Sequence, residues 1–448
     1  MGGGLSGTLA AAALLRRARS PLRVTLVERS AAVGAGVAYG TSCPEHFLNV
    51  RAAGMSGVAG QPDHLLEWLR GAGRSAAARW GAEPDPDAFL PRGLYAEYAR
   101  GLLDAAAAGA AGGVTLEVAT AEALALRPEE GGLAAHLSDG RAIAADHVVV
   151  AVGNPAPRHP TDEHHPVYES GRYTRDPWSD AALHDLAPEA PILIVGTNLT
   201  MIDLVVSLAR RGHRGTIHAV SRHGLLPREH AAPRAGAGAG SGDFSPRSVR
   251  EAARALRERS EHGTWRAAVD SVRPSAQRIW MGWPEEERRR FLRHARPYWE
   301  VHRHRAVPAN VRDVERLMAS KQLLVHAARI RGYRDEDSSI QVALDPRGRG
   351  GTRSLRAERI WNATGPEGDY RRAGLPLVDQ IFRDGLGRPG PLGLGLDATP
   401  DGALRDGSGA ASGRLSALGP PLRGTLWETT AIPEIREQAA RLAERLLP

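Results

Sequence analysis

A glycine-rich turn that leads directly into an apolar helical segment is the feature that most constrains the fold of this chain. Gly2, Gly4 and Gly7 satisfy the spacing G-x-G-x-x-G, and the segment TLAAAALLRRARS follows them. In such a turn the first glycine permits a tight bend, the second lets a diphosphate approach the backbone, and the third lets the helix pack closely on a strand. Free N–H groups and the dipole at the helix start attract phosphate. The turn therefore predicts a dinucleotide-binding fold.

An acidic residue stands where such a fold places one. Leu22–Glu28 (LRVTLVE) is predicted to be the strand after the helix, and it ends in Glu28. An acid there, about twenty residues after the glycines, hydrogen-bonds the ribose hydroxyls of a bound dinucleotide. The alternative is a glycine-rich tail with no ligand. The joint occurrence of turn, helix and acidic strand end favours the nucleotide site.

The pattern normally begins with a strand, whereas this sequence starts at Met1, directly before the glycines. Without that strand a parallel sheet lacks its central member, and the helix loses apolar contact worth about 25 cal/mol per Å². We expect a misassigned start codon, with an Ile- and Val-rich strand encoded upstream.

The order strand, turn, helix and strand occurs a second time. Pro191–Val195 and Thr216–Val220 are predicted strands, and Thr200–Arg211 is the predicted helix between them. The turn Gly196–Met201 keeps only the first glycine of the pattern. Its context between a strand and a helix still indicates a second nucleotide site.

The strand end of this second unit carries Ser221 and Arg222 in place of an acid. An arginine there can pair with the 2′-phosphate that distinguishes NADP from NAD. The alternative is a solvated surface arginine in an arginine-rich chain. The predicted NADP-binding residues are Gly196, Thr197, Asn198, Leu199, Thr200, Ser221 and Arg222.

The predicted fold class is α/β, with two Rossmann-like dinucleotide-binding domains of which the first is discontinuous. Residues 1–185 form its first part, lacking the first strand, and residues 356–448 return to it. Residues 186–355 form the second domain, with a helical insertion at about 245–325. The segment RAGAGAGSG at 234–242 is predicted to be a flexible loop.

Composition excludes several other classes. The net charge is +7, but Lys321 is the only lysine, which suggests a GC-rich coding bias rather than a nucleic-acid-binding surface. Cys43 is the only cysteine, so no intramolecular disulfide forms and a reducing cytoplasm is expected. His302 and His304 do not share a helix face, and we predict no metal site. No apolar run approaches the ~20 residues that span a bilayer, so no membrane partner is expected.

Several blocks resemble one family of flavoproteins. They include GGGLSG, VTLVERS, GAGVAYGTSCPEHFLNVRAAGMSG, VGTNLTMIDLVVSLARRGHRGTIHAVSRHGLLP, ARPYWEVHRHR, WNATGP and LGPPLRGTLWETTAIPEIREQAARLA. They are similar to the FAD/NAD(P)-binding family that contains FAD-dependent urate hydroxylases and flavin-dependent amino-acid N-hydroxylases. The resemblance covers most of the chain.

The resemblance implies that the first domain binds FAD. Its opening glycines and Glu28 would hold the ADP part, the segment 46–55 would line the isoalloxazine ring, and the segment 419–430 would close over the flavin. The implied FAD-binding residues are Gly2, Gly4, Ser6, Gly7, Glu28, Arg29, Asn49, Gly153, Gly365, Gly419 and Thr425. His46 and Asn49 are the candidate catalytic residues near the ring.

The implied activity is that of a FAD-dependent NAD(P)H oxidoreductase. We expect a monooxygenase that hydroxylates a small molecule with molecular oxygen through a flavin C4a-hydroperoxide, and that uses NADPH, with NADH as the alternative nucleotide. Two other functions remain open: an NAD(P)H-dependent reductase or dehydrogenase without oxygen insertion, and a non-catalytic nucleotide-binding or redox-sensing protein.

Overall fold

A computed structural model describes residues 1–161, 163–179, 185–232, 244–348 and 350–447. The chain divides into two compact units. Unit 1 comprises Met1–Pro155, Pro274–Glu285 and Gly368–Pro448, and unit 2 comprises Ala156–Arg273 and Glu286–Glu367. The loop predicted at 234–242 lies outside the described residues.

These bounds differ from the predicted domain limits at 185 and 355. The short strand at Tyr173–Thr174 pairs in parallel with the strand at Arg359–Asn362, which pairs in turn with Ile192–Val195. The strands at 173–174 and 359–362, which lie outside the predicted limits of the second domain, therefore both belong to the sheet of unit 2. Within the predicted helical insertion, residues 274–285 belong instead to unit 1.

Unit 1 combines helices with short sheets. Its helices are α1 (Leu5–Arg17), α2 (Gly36–Tyr39), α3 (His64–Arg70), α4 (Arg74–Arg79), α5 (Arg92–Ala108), α9 (Ala276–Gly282), α13 (Pro376–Arg383), α14 (Arg423–Leu426) and α15 (Ile432–Leu446). Its strands are β1 (Leu22–Glu28), β2 (Val114–Thr120), β3 (Ala123–Glu129), β4 (Gly132–Leu137), β5 (Ala142–Ala145), β6 (Val148–Val150), β14 (Ala403–Arg405) and β15 (Ala411–Ala417).

Two of these sheets contain parallel strands. β1 pairs in parallel with β2, and β6 pairs in parallel with β15. Gly2 N donates to Val27 O of β1 at 2.8 Å, and Ala151 N, just after β6, donates to Met1 O at 2.8 Å. The backbone of Met1 and Gly2 therefore lies between β1 and β6.

Helix α1 is positioned by its apolar face. Leu5, Leu9 and Leu15 are buried in one core with residues of α5 and α15. The face of α15 that packs against α1 carries Ile435 and Leu442, which are buried on the same side of the helix two turns apart, as expected for an amphipathic helix. This packing holds the start of α1 beside the carboxyl end of β1.

Unit 2 is built on one sheet. Its strands are β7 (Tyr173–Thr174), β8 (Ile192–Val195), β9 (Ile217–Ser221), β10 (Leu323–Asp335), β11 (Ile340–Pro346), β12 (Arg353–Ala357) and β13 (Arg359–Asn362). Its helices are α6 (Leu199–Arg210), α7 (Val249–Glu261), α8 (Trp265–Val272), α10 (Glu285–Arg290), α11 (Arg296–Arg303) and α12 (Pro308–Ala319).

The strand order in this sheet is β12-β11-β10-β9-β8-β13-β7. The strands from β10 to β7 pair in parallel, whereas β10, β11 and β12 pair antiparallel. β8 is fully buried and packs with the apolar face of α6, as a central parallel strand requires. Ligands in such sheets bind at the carboxyl ends of the parallel strands, which here include Val195 and Ser221.

A pair of half-buried histidines makes unit 2 sensitive to acid. His218 Nδ1 of β9 and His326 Nε2 of β10 lie 3.0 Å apart. Burial, and then the proximity of His326, lower the pKa of His218 to about 4. Folding therefore favours the neutral ring, so the stability it contributes is present above the unfolded pKa of about 6.5 and is lost as pH falls towards 4.

We expect His218→Asn to reduce the loss of stability between about pH 7 and pH 4.5 by about 1–2 kcal/mol, after allowance for solvent screening. Urea unfolding at the two pH values measures this difference. His262→Asn, at an exposed site in the same unit, serves as the control. Equal pH dependence in wild type and His218→Asn would refute the assignment.

Candidate functional site

Two glycines in the turn of unit 1 leave no room for a side chain. Gly2 has a φ of 100°, and a side chain there would overlap the carbonyl oxygen of Ala151. A side chain at Gly7 would overlap the carbonyl oxygen of Gly2. These close approaches explain the first and third glycines by contacts within the protein.

The start of α1 offers free backbone donors. Gly4 is the N-cap residue and makes no side-chain cap, so it does not satisfy the first N–H groups of the helix. A Cβ at Gly4 would lie 3.5 Å from Gly36 Cα, which is an ordinary contact, so the protein fold does not itself demand glycine there. This uncapped and bare helix start fits a diphosphate group.

Glu28 is oriented by the same turn. Its Oε2 accepts a hydrogen bond from Gly3 N at 2.6 Å, and its Oε1 accepts from Ser30 N at 3.0 Å and Ser30 Oγ at 3.1 Å. The carboxylate is thereby fixed beside the glycines, where a ribose would follow the diphosphate. The neighbouring Arg29 is exposed.

The C-terminal segment is joined to the start of α1 at Gly419. This residue has a φ of 78°, and a side chain there would overlap Ser6 Oγ. Gly419 N donates to Gln438 Oε1 at 2.9 Å, and Thr429 Oγ1 donates to Gly419 O at 3.0 Å. The structure therefore brings together Ser6, the glycine turn and the segment predicted to close over the flavin.

Two other predicted FAD residues lie in unit 1. Gly153 follows β6, has a φ of 70°, and accepts a hydrogen bond from Tyr370 OH at 2.6 Å. Thr425 lies in α14, where its Oγ1 donates to Ala398 O at 3.3 Å.

Gly365 lies elsewhere, in unit 2 after β13. This strand end belongs to the second nucleotide turn, because a side chain at Gly196 would overlap Ala363 O. Its assignment to FAD stays a prediction.

The candidate catalytic residues lie between α2 and α3. His46 is buried, its Nδ1 is 2.7 Å from Thr41 Oγ1, and its carbonyl accepts from Arg92 N at 2.8 Å. Asn49 is half-buried. These contacts orient His46 within its own loop and against the start of α5, and the catalytic role of both residues stays a prediction.

A strained turn in the closing segment was missed by sequence reasoning. Trp427 has a φ of 61° and a ψ of −71°, and Glu428 N donates to Leu426 O at 2.8 Å. This is the rare, strained form of γ-turn, which costs about 1–3 kcal/mol for a bulky residue. Only the backbone geometry identifies it, because tryptophan carries no turn signal.

Helix α9 holds this turn in place. The rings of Trp280 and Trp427 stack with centroids 5.0 Å apart, and Trp280 Nε1 donates to Gly424 O at 2.9 Å. Gln277 Nε2 donates to Glu428 O at 2.5 Å. These contacts explain why a short helix from the middle of the chain belongs to unit 1.

The turn of unit 2 reproduces the first glycine and replaces the others. Gly196 has a φ of 123° and packs on Ala363. Asn198 has an extended backbone, and its side chain accepts a hydrogen bond from Leu199 N at 2.9 Å. Asn198 therefore caps α6 and occupies one donor that a phosphate would otherwise use. Met201, at the third position, is buried in the core, and Thr200 follows Leu199 in the first turn of the helix.

The carboxyl end of β9 is joined to this turn. Thr197 Oγ1 lies 2.9 Å from Ser221 Oγ and donates to Leu225 O at 2.6 Å. Ser221 Oγ also accepts from Gly224 N at 3.0 Å. The predicted residues Gly196, Thr197, Asn198 and Ser221 are thus neighbours, with Arg222 next to them in sequence.

Arg222 opens onto a basic pocket of about 370 Å³ in unit 2. The pocket is lined by Arg222, His223, Arg293, His294, Ala328, Arg329, Asp345, Pro346 and Arg347. Sequence reasoning found Arg222 alone, because the other cations come from β10, from the end of β11 and from the segment before α11. Topology brings them together, and no local pattern links them.

The first part of the chain is similar to a known family of domains. Residues 1–155 match a family model described as FAD-NAD(P)-binding, NAD_binding_9. No curated protein matches the sequence significantly.

Solved structures share the fold along the whole chain. Ornithine hydroxylase from Pseudomonas aeruginosa has a TM-score of 0.68 at 14% identity, over 100% of this chain and 97% of that one. Ornithine N-hydroxylase from Kutzneria sp. 744, solved with reduced FAD, NADP⁺ and L-ornithine, has a TM-score of 0.64 at 14% identity, over 99% and 96%. L-lysine 6-monooxygenase from Pseudomonas syringae has a TM-score of 0.64 at 15% identity, over 99% and 97%.

These likenesses confirm the predicted α/β fold and the resemblance to FAD/NAD(P)-binding flavoproteins. At such low identities they concern the fold and not the substrate. Among the described helices, none combines the length and apolar character needed to cross a bilayer. Within the same ranges, no three His, Cys, Asp or Glu side chains are grouped to hold a metal ion.

Substitution of Trp427 separates backbone strain from packing. Both Trp427→Ala and Trp427→Gly lose the stacked ring, but glycine adopts the positive φ without strain. We expect the glycine variant to be more stable than the alanine variant by about 1–2 kcal/mol in urea unfolding.

The same pair of changes at Trp80 provides the control, because its φ is −88°. There the glycine variant should be no more stable than the alanine variant. An alanine variant at position 427 that is as stable as the glycine variant would show that the turn is unstrained.

Proposed function

We propose that this chain is a FAD-dependent NAD(P)H oxidoreductase that acts as a monooxygenase on a small molecule. The observation that carries the proposal is the presence of two nucleotide-type turns, each at the carboxyl end of parallel strands in its own unit. One turn is followed by the acidic Glu28 and the other by the basic Arg222. The two sites therefore differ in the sign of the charge that meets the ribose.

The acidic site is assigned to FAD. The uncapped start of α1 would bind the diphosphate, and the Glu28 carboxylate, held by Gly3 N and Ser30, would accept hydrogen bonds from ribose hydroxyls. The close approach of Gly419 to Ser6 ties the closing segment to this site. Each group is positioned by bonds within the protein, so little ordering is left for the binding step.

The basic site is assigned to NADPH. The guanidinium group of Arg222 suits a 2′-phosphate, which NADH lacks. Because Asn198 caps α6 itself, the helix start contributes less to diphosphate binding here than in unit 1. Arginine side chains therefore supply more of the binding at this site.

Bound FAD would supply the redox chemistry, by taking two electrons from NADPH and passing them to molecular oxygen, of which one atom enters the substrate and the other leaves as water. The chain's own residues bind and orient the two nucleotides. The amines ornithine and lysine, acted on by the structural neighbours named above, are the first substrates to test.

Turnover under ¹⁸O₂ distinguishes the proposal from its alternative. A monooxygenase consumes NADPH and incorporates the isotope into a hydroxylated product. NADPH consumption that yields hydrogen peroxide with every candidate substrate would favour a reductase without oxygen insertion.

Arg222→Ala tests the nucleotide assignment. We expect it to raise KM for NADPH about tenfold to a hundredfold, which corresponds to the loss of a charged hydrogen-bonded pair, and to leave KM for NADH nearly unchanged. Initial rates of NADPH and NADH oxidation measure the effect. Arg214→Ala is the matched control, because Arg214 pairs with Glu189 before the amino end of β9. An equal change for both nucleotides would contradict the role of Arg222.

A further inference from the structure

The basic pocket of unit 2 carries more positive charge than one phosphate contact needs. Four of its lining residues are arginines, namely Arg222, Arg293, Arg329 and Arg347, and one is an acid, Asp345. Asp345 is already paired, since its Oδ2 lies 2.5 Å from Arg331 Nη2. The pocket is thus suited to a compact dianion rather than to a neutral ligand.

His223 lies among these cations in a defined protonation state. Arg347 Nη1 is 2.7 Å from His223 Nδ1. Because a guanidinium group only donates, Nδ1 must accept and is therefore unprotonated in this arrangement. The Tyr298 ring packs against the imidazole with centroids 5.8 Å apart.

The surroundings of His223 oppose a charged imidazole. Burial, and then Arg347, Arg222 and Arg329, lower the pKa of His223 below its ordinary value. Arg293 and His294 line the same pocket, and Asp345 is its one carboxylate. An anion entering the pocket would offset this repulsion.

We propose that the pocket binds the 2′-phosphate of NADP(H), and that His223 takes up a proton as the phosphate enters. Protonation at Nδ1 converts that atom from acceptor to donor, which releases Arg347 from His223. Arg347 and the imidazolium ring then both donate to the phosphate. The proton comes from solvent, and every arginine keeps its charge throughout. This inference rests on the proposed NADPH site and adds a proton-linked control of it.

The linkage has a definite sign. The bound phosphate raises the proton affinity of His223. NADP⁺ binding therefore strengthens as pH falls through the range between the pKa of His223 in the complex and its pKa in the free protein. The phosphate itself has a pKa of about 6 and loses its proton among arginines, which works in the opposite direction. A variant without the imidazole isolates the contribution of His223.

Calorimetry of NADP⁺ binding to the FAD-loaded full chain, in two buffers of different ionisation enthalpy at about pH 7, counts the protons exchanged. We expect wild type to take up more protons than His223→Asn, whose side-chain oxygen can still accept from Arg347. NAD⁺ should show no such difference. Equal proton counts for NADP⁺ in the two proteins would overturn the proposal.

Arg347→Ala tests the pocket without reference to titration. We expect it to weaken NADP⁺ binding about fivefold to fiftyfold and to leave NAD⁺ binding unchanged, which also shows that the variant is folded. Equal weakening of both nucleotides would place the 2′-phosphate elsewhere and overturn the inference. If wild type binds NADP⁺ no more tightly than NAD⁺, the proposed NADPH site itself fails, and the proton-linked control fails with it.

Discussion

The close packing around glycine backbone at the start of α1 is the constraint on which unit 1 depends. A side chain at Gly2 would overlap Ala151 O, one at Gly7 would overlap Gly2 O, and one at Gly419 would overlap Ser6 Oγ. These contacts bring β1, β6, α1 and the C-terminal segment to one place. Gly4, between Gly2 and Gly7 in the same turn, leaves the N–H groups of the first helical turn without a side-chain cap, which is the arrangement that suits an anion.

The turn of unit 2 has one glycine packed closely on backbone, and its other positions differ. Gly196 packs on Ala363 as Gly2 packs on Ala151, but Asn198 caps its own helix. The helix start therefore has less binding capacity, and positive side chains gather at the ends of β9 and β11 instead. We infer that backbone donors bind FAD in unit 1 and that arginine side chains select NADPH in unit 2.

The sequence predicted what depends on local spacing. The glycine turn, the acid that ends β1 and the second turn at Gly196 all follow from patterns within about thirty residues, the length of one nucleotide-binding unit. Features that arise from topology were not predictable. Arg329 and Arg347 join Arg222 only through the pairing of β9, β10 and β11, and the Trp427 turn is held by a helix distant in sequence. The domain limits differed for the same reason, because β7 has two residues and carries no periodic signal.

FAD binding to the apoprotein tests the central claim most directly, namely that the bare start of α1 holds the diphosphate. Gly4→Ala adds a Cβ that the fold accommodates, and Gly112→Ala adds one in open space. We expect wild type and Gly112→Ala to bind one FAD per chain with equal affinity, and Gly4→Ala to bind about tenfold more weakly without loss of thermal stability in the absence of FAD. A wild-type protein that retains no FAD after the unbound flavin is removed and gains no thermal stability from it would contradict the account. A Gly4→Ala variant with unchanged affinity for FAD would contradict it as well.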